Sequence, residues 1–169
     1  MSNLTIVFGM HRVIIDSFDE RSKPYDVWVG HSYLKTPFVP NAFEVLKELC
    51  ADGYASHFRF FVLGMKTSGM IKKTRAWFQR NITETLSIPP SHLSHIQSVH
   101  AYSQKLQRMQ PAAVVEKIPA VLSGLRETKC LLFRPTDSAL ESILDIPDKE
   151  FDVVENWHEV QAELHLHVL

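Results

Sequence analysis

Residues 3–18 read NLTIVFGMHRVIIDSF, and the fold turns on how this stretch is understood. Leu4 to Phe8 is a short apolar run, the pattern of a strand buried on both faces. The loop GMHR ends it and leads into a second apolar run, VIIDS. In a sheet of parallel strands, ligands sit just beyond the carboxyl ends of the strands. Here those places hold Gly9, which has no side chain, and His11.

Working outward, short apolar runs alternate with amphipathic stretches. Asn41 to Cys50 reads as a helix with Phe43, Leu46, Leu49 and Cys50 on one face, ended by Asp52-Gly53. Phe58 to Leu63 (FRFFVL) is a second strand. Met70 to Ile82 is a helix carrying Ile71, Phe78 and Ile82 on one stripe, and Pro89-Pro90 breaks the chain. HIQSV, residues 95–99, is a weak third strand. Ala112 to Leu125 predicts a helix through Val115, Ile118, Leu122 and Leu125, bent at Pro119. KCLLF is a fourth strand, Thr136 to Ile143 a short helix with Thr136 as N-cap, FDVV a fifth strand and Trp157 to Leu164 a closing helix. Five alternations argue for a mostly parallel sheet with helices on both faces. The loops that matter are then GMHR, GMKTS and RPTDS.

The chain has 169 residues, enough for one domain with a real core. Its formal net charge of −1 gives no whole-protein bias toward nucleic acid or membrane. No apolar run approaches a membrane span, and no basic-then-apolar leader is visible. Cys50 and Cys130 both lie in apolar runs and read as buried thiols, not a disulfide framework. The expected compartment is reducing and cytoplasmic.

IVFGMHRVIIDS resembles the first motif of the haloacid dehalogenase superfamily, where a strand ends in Asp-x-Asp-Gly-Val and often continues through apolar residues to Asp-Ser. TPFVPNAFEVLKELCADGY, MQPAAVVEKIPAVL and CLLFRPTDSALESI resemble, in order, the segments that carry the later motifs, so the likeness covers most of the chain. The resemblance implies a Rossmann-like three-layer αβα domain over residues 1–169, with a five-stranded sheet in the order 5-4-1-2-3. Residues 17–40 would be a short loop insertion in place of a large cap domain. It also implies where chemistry is missing. The nucleophilic aspartate falls on Gly9 and the acid-base aspartate on His11. The phosphate-binding hydroxyl falls on Gly64, with Thr67 or Ser68 nearby. The lysine of the third motif falls on Gln110, with Lys105 or Lys117 as substitutes, and the fourth-motif carboxylates fall on Arg134 and Pro135.

Phosphoaspartate chemistry needs a carboxylate nucleophile, an acid-base group and a divalent ion. Glycine cannot be a nucleophile. Magnesium wants oxygen ligands, and Asp16 or Asp137 would have to hold it almost alone. The leading expectation is a pseudoenzyme that acts as a binding, scaffold or regulatory module with no cofactor or metal. One alternative is a divergent, nucleotidase-like phosphohydrolase using His11 with Asp16 or Asp137 and Mg²⁺. Another is a phosphate or nucleotide sensor in which His11, Arg12, Lys66 and Arg134 bind the anion directly; the bland counterpart has these cations in solvent or paired with Asp16 and Asp137.

Other stretches have ordinary readings beside functional ones. Lys66, Lys72, Lys73, Arg75 and Arg80 could track a nucleic-acid backbone, but they fit the wet face of a helix whose buried stripe holds Trp77 and Phe78. His92, His95 and His100 lack the ligand set of a zinc site. HLHVL alternates and reads as an extended tail with His165 and His167 on one face. Tyr25, Trp28 and Tyr33 in the 17–40 insertion are either a contact surface for a protein partner or a second copy, or a lid over the old pocket.

Overall fold

The computed structural model of the protein describes residues 4–18, 23–64, 67–135 and 151–169. The expected helix at Thr136–Ile143, together with Asp137, and the expected anion ligand Lys66 lie outside the described residues. Six strands form one parallel sheet: β1 Ile6–Gly9, β2 Phe58–Leu63, β3 Leu93–Ile96, β4 Ala113–Glu116, β5 Lys129–Phe133 and β6 Asp152–Val154, in the order β3-β2-β1-β4-β5-β6. The α/β class and parallel sheet are as expected; the strand count is not.

The added strand is β4. The sequence predicts a helix over Ala112–Leu125, but AVVE pairs with β1 on one side and β5 on the other, all four residues buried. A short run buried on both faces has no periodicity to separate strand from helix, and the 3.6-residue spacing of Val115, Ile118 and Leu122 is fortuitous. Only Pro119–Leu122 is helical, with Pro at its first position, where its missing N–H costs nothing. The predicted fourth and fifth strands are therefore β5 and β6. Read from the other edge, β1 to β5 run 5-4-1-2-3, with β6 added outside β5.

The helices are α1 Asp26–Val29, α2 Ala42–Ala51, α3 Ser68–Phe78, α4 Glu84–Leu86, α5 Val99–Met109, α6 Pro119–Leu122 and α7 Trp157–His167. A π-helical turn, Gln79–Thr83, joins α3 to α4. Helix α5 has no counterpart in the sequence reading, although Ser98 caps it by accepting from Ala101 N at 3.1 Å and Tyr102 and Leu106 form its buried stripe. Helix α7 continues to His167, so HLHVL is not an extended tail; Asn156 caps it and His167 stands 3.5 Å from Glu163.

Alternation along the strands divides the core. Ile6, Phe8, Phe58, Phe60, Val115, Leu131 and Phe133 face α2, α3 and α7, and Val7, Phe61, Val114 and Leu132 face α5 and α6. Two buried tryptophans then tether loops to this core. Trp157 Nε1 donates to Val13 O at 2.7 Å and Trp77 Nε1 donates to Thr36 O at 2.9 Å. Val13 belongs to the loop after β1 and Thr36 to the 17–40 segment, so the groups beyond Gly9 are held from both sides.

Candidate functional site

The carboxyl ends of β1, β2 and β4 open on a cavity of about 330 Å³. Its walls are mostly apolar: Met10, Phe18, Phe61, Leu63, Met70 and Ile118. His11, Gly64, Thr67, Glu116 and Lys117 supply the polar edges. Gly64 has a φ of 76°, the left-handed turn that takes the chain off β2, and Thr67 Oγ1 caps α3 by accepting from Met70 N at 3.3 Å.

Glu116 ends β4 beside Gly9. Its Oε2 accepts from Tyr102 OH at 3.0 Å and its Oε1 accepts from Lys117 N at 2.7 Å. Burial pushes its carboxyl above the usual range, with the Lys117 amide, Tyr102 and the Lys117 charge pulling the other way. A Cβ at position 9 would lie 2.3 Å from Oε2. The Glu116 carboxylate, held by Tyr102 and the Lys117 amide, therefore occupies the space that a side chain on residue 9 would need.

His11 is 8% exposed. Its Nδ1 lies 2.6 Å from Ser17 Oγ, and its ring meets Phe18 and Trp28 edge to face at 5.1 and 5.0 Å. Burial, with smaller contributions from Lys117 and His95, lowers its pKa to about 3. It is a neutral, packed imidazole at neutral pH, bonded to a hydroxyl and not to an acid. Lys117 is half-buried, its Nζ 5.9 Å from the centre of the Phe18 ring. Burial lowers its pKa, Glu116 opposes this, and Arg12 adds to it.

Phe18 and Trp28, described residues of the 17–40 segment, pack against His11. Trp28 is fully buried over His11, with Tyr33 against its other side at 6.4 Å. The expectation of Trp28 on a partner surface is therefore corrected, since it is fully buried; Tyr33 is half-buried, and Tyr25 remains 43% exposed beside exposed Val27 and Val29. Lys73 from α3 holds the segment down. Its ammonium donates to the carbonyls of Trp28, Val29 and Gly30 at 3.2, 2.6 and 3.3 Å, at the C-terminal end of α1. A cation there answers unpaired carbonyls and the negative helix end. Lys73→Met should remove about 1 kcal/mol of local stability and raise hydrogen exchange at the amides of Trp28, Val29 and Gly30. Unchanged protection would mean that Lys73 is not the clamp.

The remaining expected positions do not converge. Gln110 follows α5 at the opposite, amino-terminal end of β4, so Lys117 and not Gln110 is the lysine at the site. Arg134 follows β5, with β4 between it and β1; its backbone N donates to Val154 O at 2.8 Å. The carboxylate beside β1 is Glu116, hidden from the sequence reading inside the predicted helix. Arg12 and Asp16 sit on the loop beyond the cavity lining, Arg12 at a φ of 64°. The Asp16 carboxyl is pushed up by burial and pulled down by Arg12. The expected anion cluster is therefore represented in the cavity by His11 alone among its described members, and His11 carries no charge.

Among the described residues, which do not include Asp137, the donors do not suit Mg²⁺ either. Both oxygens of Glu116 are engaged, Gly9 offers none, and no group of three or more His, Cys, Asp or Glu among the described residues is arranged to hold a metal. No helix among the described residues is long and apolar enough to cross a membrane. No protein-family profile matches the sequence, and no curated protein matches it.

Proposed function

We propose that the chain is a haloacid dehalogenase-like α/β module that binds a ligand or partner and does not transfer phosphoryl groups, working in a reducing, cytoplasmic setting. The order of β1 to β5 and the GMHRVIIDS loop support the kinship. The observation that carries the functional reading is the Glu116 carboxylate lodged against Gly9, where a nucleophile would have to stand. The neutral, Ser17-bonded His11 supports it further, because a base or nucleophile would need an open face and an orienting acid. The apolar walls suit a small molecule of low charge better than a nucleotide.

The test is turnover of a panel of nucleotides and simple phosphoesters by the purified chain, with magnesium and with chelator, beside His11→Ala. No activity above the blank is expected in any condition. Turnover that disappears in His11→Ala would establish a rebuilt phosphohydrolase and end the binding reading.

A further inference from the structure

Lys117 stands out within the cavity. Its neighbours would normally explain a half-buried ammonium, yet among the described residues its Nζ makes no salt bridge or hydrogen bond, only the distant face of Phe18. The carboxylate next to it in sequence is committed to Tyr102 and to the Lys117 backbone N–H. An ammonium placed in a cavity wall without a described protein acceptor is free to meet a ligand atom.

Charge says what kind. Glu116 and Lys117 together contribute no surplus positive charge, and His11 is neutral. A phosphate or other dianion entering here would face a buried carboxylate with a single cation to offset it. An uncharged ligand avoids that conflict and matches the apolar walls. A lysine becomes a nucleophilic amine when it is desolvated in an apolar pocket or placed beside another cation. Lys117 meets the first condition: it is half-buried in the wall of an apolar cavity, and burial is the main cause lowering its pKa, with Glu116 opposing it.

We propose that Lys117 is a carbonyl-reactive amine, and that the cavity takes a small, uncharged aldehyde with an apolar body and holds it as an imine. This rests on reading the site as a binding cavity. The neutral Nζ attacks the carbonyl carbon, forming the C–N bond while the carbonyl π pair moves to oxygen. A proton passes from nitrogen to that oxygen, giving a carbinolamine. The nitrogen lone pair then expels the hydroxyl, which leaves as water with the second nitrogen proton. One amine and one aldehyde yield one imine and one water, with no change of oxidation state.

The experiment incubates the full chain with benzaldehyde, and separately with propanal, in the presence of cyanoborohydride, which reduces any imine to a stable amine. Peptide mapping then locates the adduct. Lys117 should be labelled several-fold faster than the exposed Lys47 and Lys72, and the fast adduct should vanish in Lys117→Arg. Because the wild-type map alone compares lysines, the test survives a variant that fails to fold. Even labelling of all lysines, with Lys117 no faster than the rest, would overturn the proposal. So would protection of Lys117 by inorganic phosphate, which would assign the cavity to an anion. Slow labelling with no phosphoester turnover removes this inference and leaves the binding reading intact; turnover removes the binding reading itself.

Discussion

Gly9→Asp should not create an active site; it should cost the protein at least about 3 kcal/mol of stability. Even the Cβ of Gly9→Ala would arrive 2.3 Å from Glu116 Oε2, inside van der Waals contact. Glu116 cannot retreat without leaving the Tyr102 hydroxyl and the Lys117 amide without their acceptor. Overpacking of this kind alone costs about 1–3 kcal/mol. The aspartate adds a second carboxylate in a buried place that already strains to keep one ionised. Denaturant melts should therefore rank wild type above Gly9→Ala and Gly9→Ala above Gly9→Asp. Adding Glu116→Ala should recover part of the loss in Gly9→Asp, so the two changes would be non-additive, as expected for side chains competing for one volume. Full stability in Gly9→Asp would show that Glu116 moves freely and that the site is open to a nucleophile.

Acid should destabilise the protein through His11. Its pKa falls from 6.5 in the unfolded chain to about 3 in the folded one. Below pH 6.5 the unfolded state binds a proton that the folded state refuses, so stability present above pH 6.5 is lost as the pH drops toward 3. At about 1.4 kcal/mol per pH unit, this one residue should withdraw roughly 3 kcal/mol between pH 7 and pH 4. His11→Asn keeps a polar group for Ser17 but does not titrate. The stability gap between wild type and His11→Asn should therefore shift by about that amount in favour of the variant over this range. Glu116 titrates in both proteins and cancels in the difference. A gap that stays constant from pH 7 to pH 4 would mean that His11 is solvated and protonates normally.

Much of the architecture can be read from the chain. The runs around Ile6, Phe60 and Leu131 are strands, and the Asp52-Gly53 pair ends α2 with Gly53 at a φ of 94°. The mistakes have one physical source. Ala113–Glu116 is central and buried on both faces, so it lacks the polar alternation that marks a half-exposed strand. Taking it for helix hid Glu116 as a strand-end carboxylate and left Lys117 as only one of two substitute lysines. The detectable signal was an acid ending a four-residue apolar run just before a lysine and a proline-led turn. The burial of Trp28 was not legible, because an aromatic residue on a loop reads alike whether it covers a pocket or faces a partner. The Lys73 clamp was equally invisible, since its three carbonyl partners lie more than forty residues earlier in the chain.

The packing of Glu116 on Gly9 also fixes the order in which an acid could be introduced at the end of β1. An acidic side chain at position 9 is tolerable only after residue 116 has become smaller, and shrinking residue 116 first strands the Tyr102 hydroxyl and the Lys117 amide. Each single step goes downhill in stability before any chemistry appears to reward it. Two adjacent strand ends thus act as a ratchet: descendants of this sequence can drift widely at the surface, but an acidic side chain at the end of β1 is closed to one mutation at a time.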